Sequence, residues 1–409
     1  MRDPTREIVV TGSAVCTHMG DDWAEILADL RQGRAKPFPR WEPAVALDSP
    51  CQLVGIYPGP LDPGALELDK QQTRFAGSAT LMALHAARRA LAQAAIDPEE
   101  LAIVVGSGTG DVDTHRELAT RLAKPGGVRK VSPAFIPRLM ASTVSANLAS
   151  ILGSRGPSFN AAAACAGGAY NVLLAAQLIE QGHCEAALAG GVEVADIHFY
   201  AGFDAMRAFT RKDNDSPERA SRPYAADRAG FVFSEGAGVL VLETRARAAA
   251  RGAAVLGVLR GYGMSSDGAG SMVAPSSAGA ELAMRRALDH AGIAPDEIDY
   301  INTHATSTQL GDTTEVHAIR SVLDDRHVLY SSTKGYTGHP VTAAGPIEMA
   351  FTLAMLQDGW IAPCPHAEPL DPELVDYPPV VQPTDRPLQL ALSNSFGFGG
   401  TNAVLVLSR

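Results

Sequence analysis

Cysteine is scarce in this chain. There are five among 409 residues, an odd number, irregularly spaced and never in a CxxC pair. That usage argues against a disulfide framework or a zinc site and fits a reducing cytosol. Positive charge is also in deficit: 34 Lys and Arg stand against 45 Asp and Glu, for a net charge of −11. Such a chain is a poor nucleic-acid binder, because neutralising phosphates needs a basic field. Long apolar runs are missing as well. None follows the charged start MRDPTREIVVTG, so no signal peptide is expected. The least charged stretch, 161–179, could span a bilayer by length, but it is rich in Ala and Gly and leads into EQGHCE. It reads as a buried core helix, with no membrane partner.

The rest is ordinary globular composition, 46% hydrophobic and 19% charged, and enough for two or three domains or one large duplicated one. Apolar β-type runs end in Gly-rich turns at EIVVTG (7–12), LAIVVGSGTG (101–110), EAALAGGVEV (185–194) and LQLALSNSFGFGG (388–400). Helical patterns such as 74–95 and 280–292 lie between them. The alternation implies an α/β fold with mostly buried sheets.

An internal echo is visible. GAYNVLLAAQLIEQG (168–182) and GPIEMAFTLAMLQDG (345–359) have equal length and open and close on Gly. Val172 matches Met349, Leu174 matches Phe351, Leu178 matches Met355, and Ile179 matches Leu356. Two similar halves follow, 1–250 and 251–409, with a seam near 243–257. The polar loop 207–229 is long for a compact enzyme, which marks it as functional.

Four segments could carry chemistry. Cys165 lies in AAAACAGG, where small neighbours let the backbone turn sharply and a substrate approach. A helix starting here would favour the thiolate and lower the thiol pKa. A buried structural cysteine is the bland alternative and equally compatible with this local pattern. His304 follows the strand-like IDYI, and His339 precedes the second echoed helix, five residues after Lys334. Taken singly, each reads as a packed histidine or a solvated lysine, and the two histidines lack metal-ligand spacing. The terminal NSFGFGGTN (394–402) has no GxGxxG or Walker pattern; it is either a plain tight turn or one whose N–H groups face a substrate oxygen.

Together, ACAGG, THATSTQLGDTTE, STKGYTGHPVTAAG and NSFGFGGTN, in this order and spacing, resemble the elongating β-ketoacyl-acyl-carrier-protein synthases of the thiolase superfamily. The resemblance spans essentially the whole chain, and DSPERASRPYAADRAGFV (215–232) is most similar to the bacterial synthase I branch. It implies the duplicated five-layer α-β-α-β-α thiolase-like fold and a cytoplasmic acyltransferase that is a homodimer or a heterodimer with a chain-length-factor-like subunit. It also implies an acyl carrier protein that delivers acyl and malonyl groups on phosphopantetheine, with no other cofactor and no metal.

Residue by residue, the resemblance makes Cys165 the nucleophile and His304 and His339 donors to an enolate. Lys334 would support the histidines, and Glu315 would orient Lys334 or the loops, with Asp312, Thr306 and Thr308 in the same motif. The N–H groups of Cys165 and Phe398 would form the oxyanion hole beside Gly399. Phe398 would also gate the site, and Phe203 would line the acyl pocket. A His339 close to a helix start would be held neutral by the dipole. An acidic carrier would need a local basic patch, and Lys124, Arg129 and Lys130 offer one cluster, Arg207, Arg211 and Lys212 another. A solvated charged face is the alternative for either.

His339 stands where priming enzymes carry Asn, so chain extension is favoured. The intact Cys165 argues against a chain-length factor, and the missing second Cys motif near the C-terminus argues against a degradative thiolase. Gln309 stands where the family usually has Pro, and Thr342 where it usually has Gly. Such departures keep open a ketosynthase of a type II polyketide or polyene pathway beside fatty-acid elongation.

Overall fold

The Gly-terminated apolar runs become strands buried along nearly their whole length. A computed structural model describes residues 6–268 and 270–409; the first five residues of the charged start lie outside the described residues. The nine strands of the main sheet are β1 (Ile8–Cys16), β2 (Ala102–Ser107), β3 (Ala186–Glu193), β4 (Gly236–Thr244), β5 (Gly257–Ser266), β6 (Tyr300–Asn302), β7 (Leu329–Ser331), β8 (Leu390–Gly397) and β9 (Thr401–Ser408). Their order is β2-β3-β4-β1-β5-β9-β8-β6-β7.

That order contains the duplication. β1 and β5 pair antiparallel, from Ile8 opposite Leu259 to Val10 opposite Gly257. Outward from this seam, each half continues with two antiparallel pairings (β1–β4 and β4–β3; β5–β9 and β9–β8) and then a parallel one (β3–β2; β8–β6). The outermost strand β7 runs parallel to β6. Its place in the first half is taken by a parallel bridge of Ile103 to Ser158.

Six helices complete the layers: α1 (Ser78–Ala94), α2 (Thr143–Leu152), α3 (Gly167–Glu180), α4 (Ser277–Ala291), α5 (Gln309–Val322) and α6 (Ala344–Asp358). The alternation of strand side chains decides which helix meets which face. Leu240 and Leu242 of β4, and Ala403, Leu405 and Leu407 of β9, point into a central core with α3 and α6. Val239 and Val241 face a second core under α1 and α2. Val404 and Val406 face a third under α4 and α5. The layers are therefore α1/α2, sheet, α3/α6, sheet, α4/α5, the five-layer arrangement that the resemblance implies.

The echoed segments are the two central helices. α6 is buried on every side from Ala344 to Leu356, which explains an apolar pattern with no polar face. The apolar stretch 161–179 is the lead-in to α3 and most of α3 itself. Among the described residues, no helix is long and apolar enough to cross a membrane.

Candidate active site

α3 is entered through a three-residue turn, Ala164–Ala166, with Cys165 at its centre. Ala164 adopts a left-handed φ of 46°, a strained conformation that small neighbours tolerate and that aims the cysteine off the helix start. The helix dipole does not set the thiol's acidity as the sequence suggested. Burial pushes the Cys165 thiol up to about 12, while Lys334 and the Phe398 N–H pull it down. The pull of the N–H groups and the lysine is real, but desolvation of the thiolate outweighs it. The backbone N–H groups of Phe398 and of Cys165 itself both favour the thiolate. Phe398 occupies the tight turn between β8 and β9, where Gly399 takes φ 80°, a conformation glycine adopts without strain.

His304 follows β6. Glu315 on α5 fixes the backbone here: its carboxylate accepts the N–H of His304 at 2.9 Å and of Ala305 at 2.8 Å. The Asn394 side chain donates to the same carboxylate at 2.9 Å. Burial pushes Glu315 up to about 7, and these donors restrain it. Of the two tasks expected of Glu315, it performs the holding of the loop. The nearest partner of Lys334 is another acid.

His339 is almost fully buried. Its N–H donates to the Val232 carbonyl at 2.8 Å, and its ring meets Phe231 edge-on at 5.1 Å. It stands apart from the α6 start, because Pro340 and the turn Val341–Ala343 intervene. The neutrality expected from a dipole comes instead from burial first and the Lys334 charge second, which together hold His339 well below the usual histidine range. His304 is lowered in the same way, by burial, then Lys334, then His339. The two rings lie 5.3 Å apart at 84°. The Nδ1 atom of each is buried without a hydrogen-bond partner.

Lys334 is wholly buried, and its ammonium contacts the Glu348 carboxylate on α6. Burial pushes Glu348 up to about 7, against the pull of Lys334. Sequence reasoning missed Glu348. Its signal was present, since it is the one acid inside the apolar run GPIEMAFTLAML, and buried acids need partners.

Cys165, His304 and His339 line one cavity of about 450 Å³. Thr306, Thr308, Glu315, Phe398 and Arg207 line it too, and exposed Met206, Met272, Val273 and Leu310 stand at its rim. Nothing in the sequence pattern marked that rim. Phe203 is not in the cavity wall. It packs behind it, 6.0 Å from Phe398 and 5.4 Å from Phe231, in an apolar cluster that also contains Cys165. Asp312 is fully buried and works on structure: it accepts the N–H groups of Tyr224 and Thr308 and lies 3.3 Å from the Arg228 guanidinium. Arg228 also donates to the carbonyls of Thr308 and Gln309. The long polar loop is thus riveted to the Thr306–Asp312 segment rather than free.

The two basic clusters part company. Lys124 and Lys130 line a separate groove with Arg116, Arg121 and Arg138. Arg129 sits in the adjoining turn. Only Arg207 of the proposed docking residues lines the cavity. Arg211 is tied to Asp204. One group of potential metal ligands, Cys16, Asp21 and His85, occurs among the described residues, away from the cavity. There the Asp21 Oδ2 atom is already taken by His85, Arg89 and Tyr57 at 2.6, 2.8 and 2.8 Å, and a guanidinium at that distance opposes a cation.

Comparisons with known proteins agree with this architecture. The sequence model of the beta-ketoacyl synthase N-terminal domain matches residues 5–248, and that of the C-terminal domain matches residues 256–368. The 3-oxoacyl-[acyl-carrier-protein] synthase 1 of Escherichia coli (strain K12) is 37% identical over 415 aligned residues, covering 99% of each chain. The 3-oxoacyl-[acyl-carrier-protein] synthase 2 of Staphylococcus aureus (strain COL) is 38% identical over 352, covering 84% of each. A solved beta-ketoacyl synthase from Burkholderia phymatum STM815 superposes with a TM-score of 0.91 at 31% identity, covering 99% of each chain. The ishigamide ketosynthase/chain length factor superposes at 0.88 and 29%, again covering 99% of each.

Proposed function

The chain belongs to the β-ketoacyl synthase family, and from that premise we propose how its residues divide the work. The protein is a β-ketoacyl-[acyl-carrier-protein] synthase, an acyltransferase that condenses malonyl-carrier with an acyl group held on Cys165. Its halves are residues 1–250, which bring the nucleophile, and 251–409, which bring the histidines.

The carrying observation is that Cys165, His304 and His339 share one cavity, with the histidines held neutral. The Cys165 sulfur attacks the acyl thioester, and the thiol proton passes to the departing carrier sulfur. The N–H groups of Cys165 and Phe398 then hold the tetrahedral oxyanion, and the carrier thiol leaves. Malonyl-carrier next loses carbon dioxide, and the thioester oxygen becomes an enolate. Neutral His304 and His339 donate hydrogen bonds to it, each contributing roughly 3 kcal/mol. The enolate carbon attacks the acyl-Cys165 carbonyl, the C–C bond forms, and the Cys165 thiolate is released. Lys334 keeps the imidazoles neutral, and Glu348 holds Lys334. Phe398 bounds the acyl pocket, and Phe203 backs it from behind the wall.

No metal or resident cofactor takes part, because phosphopantetheine on the carrier delivers both groups. The carrier docks at the rim through Arg207, with Lys124, Arg129 and Lys130 as a second contact. The protein works in the cytoplasm as a dimer, with itself or with a chain-length-factor-like subunit. The likeness to the ishigamide ketosynthase/chain length factor supports the second arrangement and a polyketide or polyene pathway beside fatty-acid elongation.

Intact-mass measurement tests the reading. Mixing with acyl carriers of several chain lengths should add one acyl mass at Cys165, and malonyl-carrier should then discharge it as β-ketoacyl product. Failure to acylate with any carrier refutes the assignment.

A further inference from the structure

The duplicated fold implies a second lead-in turn equivalent to the one that carries Cys165. It is Val341–Ala343, ahead of α6. Both turns have three residues, and both precede their helix directly. Val341 has a left-handed φ of 41°, as Ala164 has 46°. The central residue is Cys165 in one and Thr342 in the other. Strain of this kind at a β-branched residue persists only where the surroundings hold it.

The surroundings are equivalent too. The Cys165 turn meets the end of β8, where a Cβ on Gly397 would fall 3.1 Å from the Cys165 nitrogen. The Thr342 turn meets the end of β3, where Glu193 is the last residue as Gly397 is of β8. Glu193 is wholly buried. It accepts from the Ser107 hydroxyl at 3.0 Å, the Thr109 hydroxyl at 2.7 Å and the Gly108 N–H at 3.3 Å, and the Thr342 side chain lies beside it. Among the described residues, no ion pair involves Glu193. Donors that are all neutral hold this carboxyl, and the second turn packs against its strand.

Thr342 also touches the first turn. Its hydroxyl lies 3.4 Å from the Ala164 carbonyl. Its methyl sits 3.2 Å from where Gly167 would carry a Cβ, and its hydroxyl 2.7 Å from where Gly108 would. The side chain therefore fills a slot with no slack, between the strained residue that precedes Cys165 and the start of α3.

We infer that Thr342 is a positioning residue for Cys165: packed against Glu193, its hydroxyl donates to the Ala164 carbonyl and fixes that peptide, and so the direction of the Cys165 sulfur and N–H. The group makes no contact with substrate in this role. The inference rests on the acylation of Cys165 proposed above.

Thr342→Val keeps the shape and removes the hydroxyl, and Thr342→Ser keeps the hydroxyl. The probe is an acyl carrier protein bearing a saturated medium-chain acyl group, used in single-turnover acylation of the full-length protein and read by intact mass. Thr342→Val should acylate at least tenfold more slowly, with the same final one acyl group per chain. Thr342→Ser should return to within about threefold of the parent. A merely structural loss would lower the amplitude instead of the rate constant, and that outcome overturns the inference. Unchanged acylation in Thr342→Val overturns it as well, as does a Thr342→Ser variant as slow as the valine. If Thr342→Val does not fold, Thr342→Ala with a thermal-melting control is read in the same way. An unreactive parent protein would instead sink the catalytic assignment itself.

Discussion

Replacing Lys334 by Met separates an electrostatic role from a packing role, because its effect depends on pH. Lys334 and Glu348 are both buried and in direct contact. Breaking such a pair from one side costs about 3–5 kcal/mol, since the remaining charge is stranded. Glu348 has an escape: its carboxyl already sits at about 7 against an ordinary 4.5, and Lys334 is the group that pulls it down. Without the lysine it rises further and holds its proton. A carboxyl whose folded pKa exceeds its unfolded one costs stability as pH rises from the unfolded value to the folded value, at about 1.4 kcal/mol per pH unit. In the parent protein that loss stops near pH 7. In Lys334→Met it continues above pH 7, so the gap between the two should widen by about 1 kcal/mol between pH 7 and pH 8. Urea denaturation at pH 6, 7 and 8 reads this directly. Made in a Glu348→Gln background and compared with Glu348→Gln alone, the same Lys334→Met change should show no pH dependence of the gap. A gap that is equal at pH 6 and pH 8, or that the second substitution leaves unchanged, refutes the reasoning.

Two further outcomes follow from the same site. Cys165→Gln should abolish acylation and condensation yet retain malonyl-carrier decarboxylation, measured as carbon dioxide release, because the histidines and not the thiol face the enolate; loss of both in a folded variant contradicts that division. Burial and Lys334 hold His304 and His339 well below 6.5, so both stay neutral as pH falls past the ordinary histidine value, and the decarboxylation rate should be flat from pH 8 through pH 6.5. An acid limb with a midpoint at 6.5 would count against neutral donors.

The sequence made the fold legible where its pattern was local. The runs 7–12, 101–110, 185–194 and 388–400 contain β1, β2, β3 and β8 or their starts, because apolar residues ending in Gly specify buried strands with tight exits. The echo at 168 and 345 located the central helices for a related reason, since each must be apolar on all faces. What was not legible depended on contacts between distant segments. The thiol pKa expectation failed because a helix start is visible in sequence, while the burial that outweighs it is a property of the assembled layers. Lys334 was assigned toward Glu315, within the neighbouring motif. Its partner Glu348 lies one turn into a helix where a single acid inside the apolar run looked incidental. The docking cluster 124–130 was gathered by charge alone, and the fold turned it toward a different groove from the cavity.

The duplication also accounts for the position of the reaction. β2, β3, β6 and β8 form the parallel pairs of the two halves, so in each half parallel strands end on the same side, where the loops and the turn of a central helix converge. Such carboxyl ends are where open α/β sheets place their ligands. Two convergences therefore exist, and they differ at the strand end as well as in the turn. β3 ends on Glu193 and β8 on Gly397. A Cβ at Gly397 would fall 2.9 Å from the Ala163 carbonyl and 3.1 Å from the Cys165 nitrogen, closing the space in which the cysteine turn sits. At the other convergence the larger residue fills that space and is satisfied by Ser107, Gly108 and Thr109. One half of the duplication thus leaves its strand end open for a nucleophile supplied by the other half. The equivalent end is plugged with a hydrogen-bonded carboxyl, and the plug shares Thr342 with the working site. Asymmetry within a symmetric frame makes one cavity reactive and uses its twin as a brace.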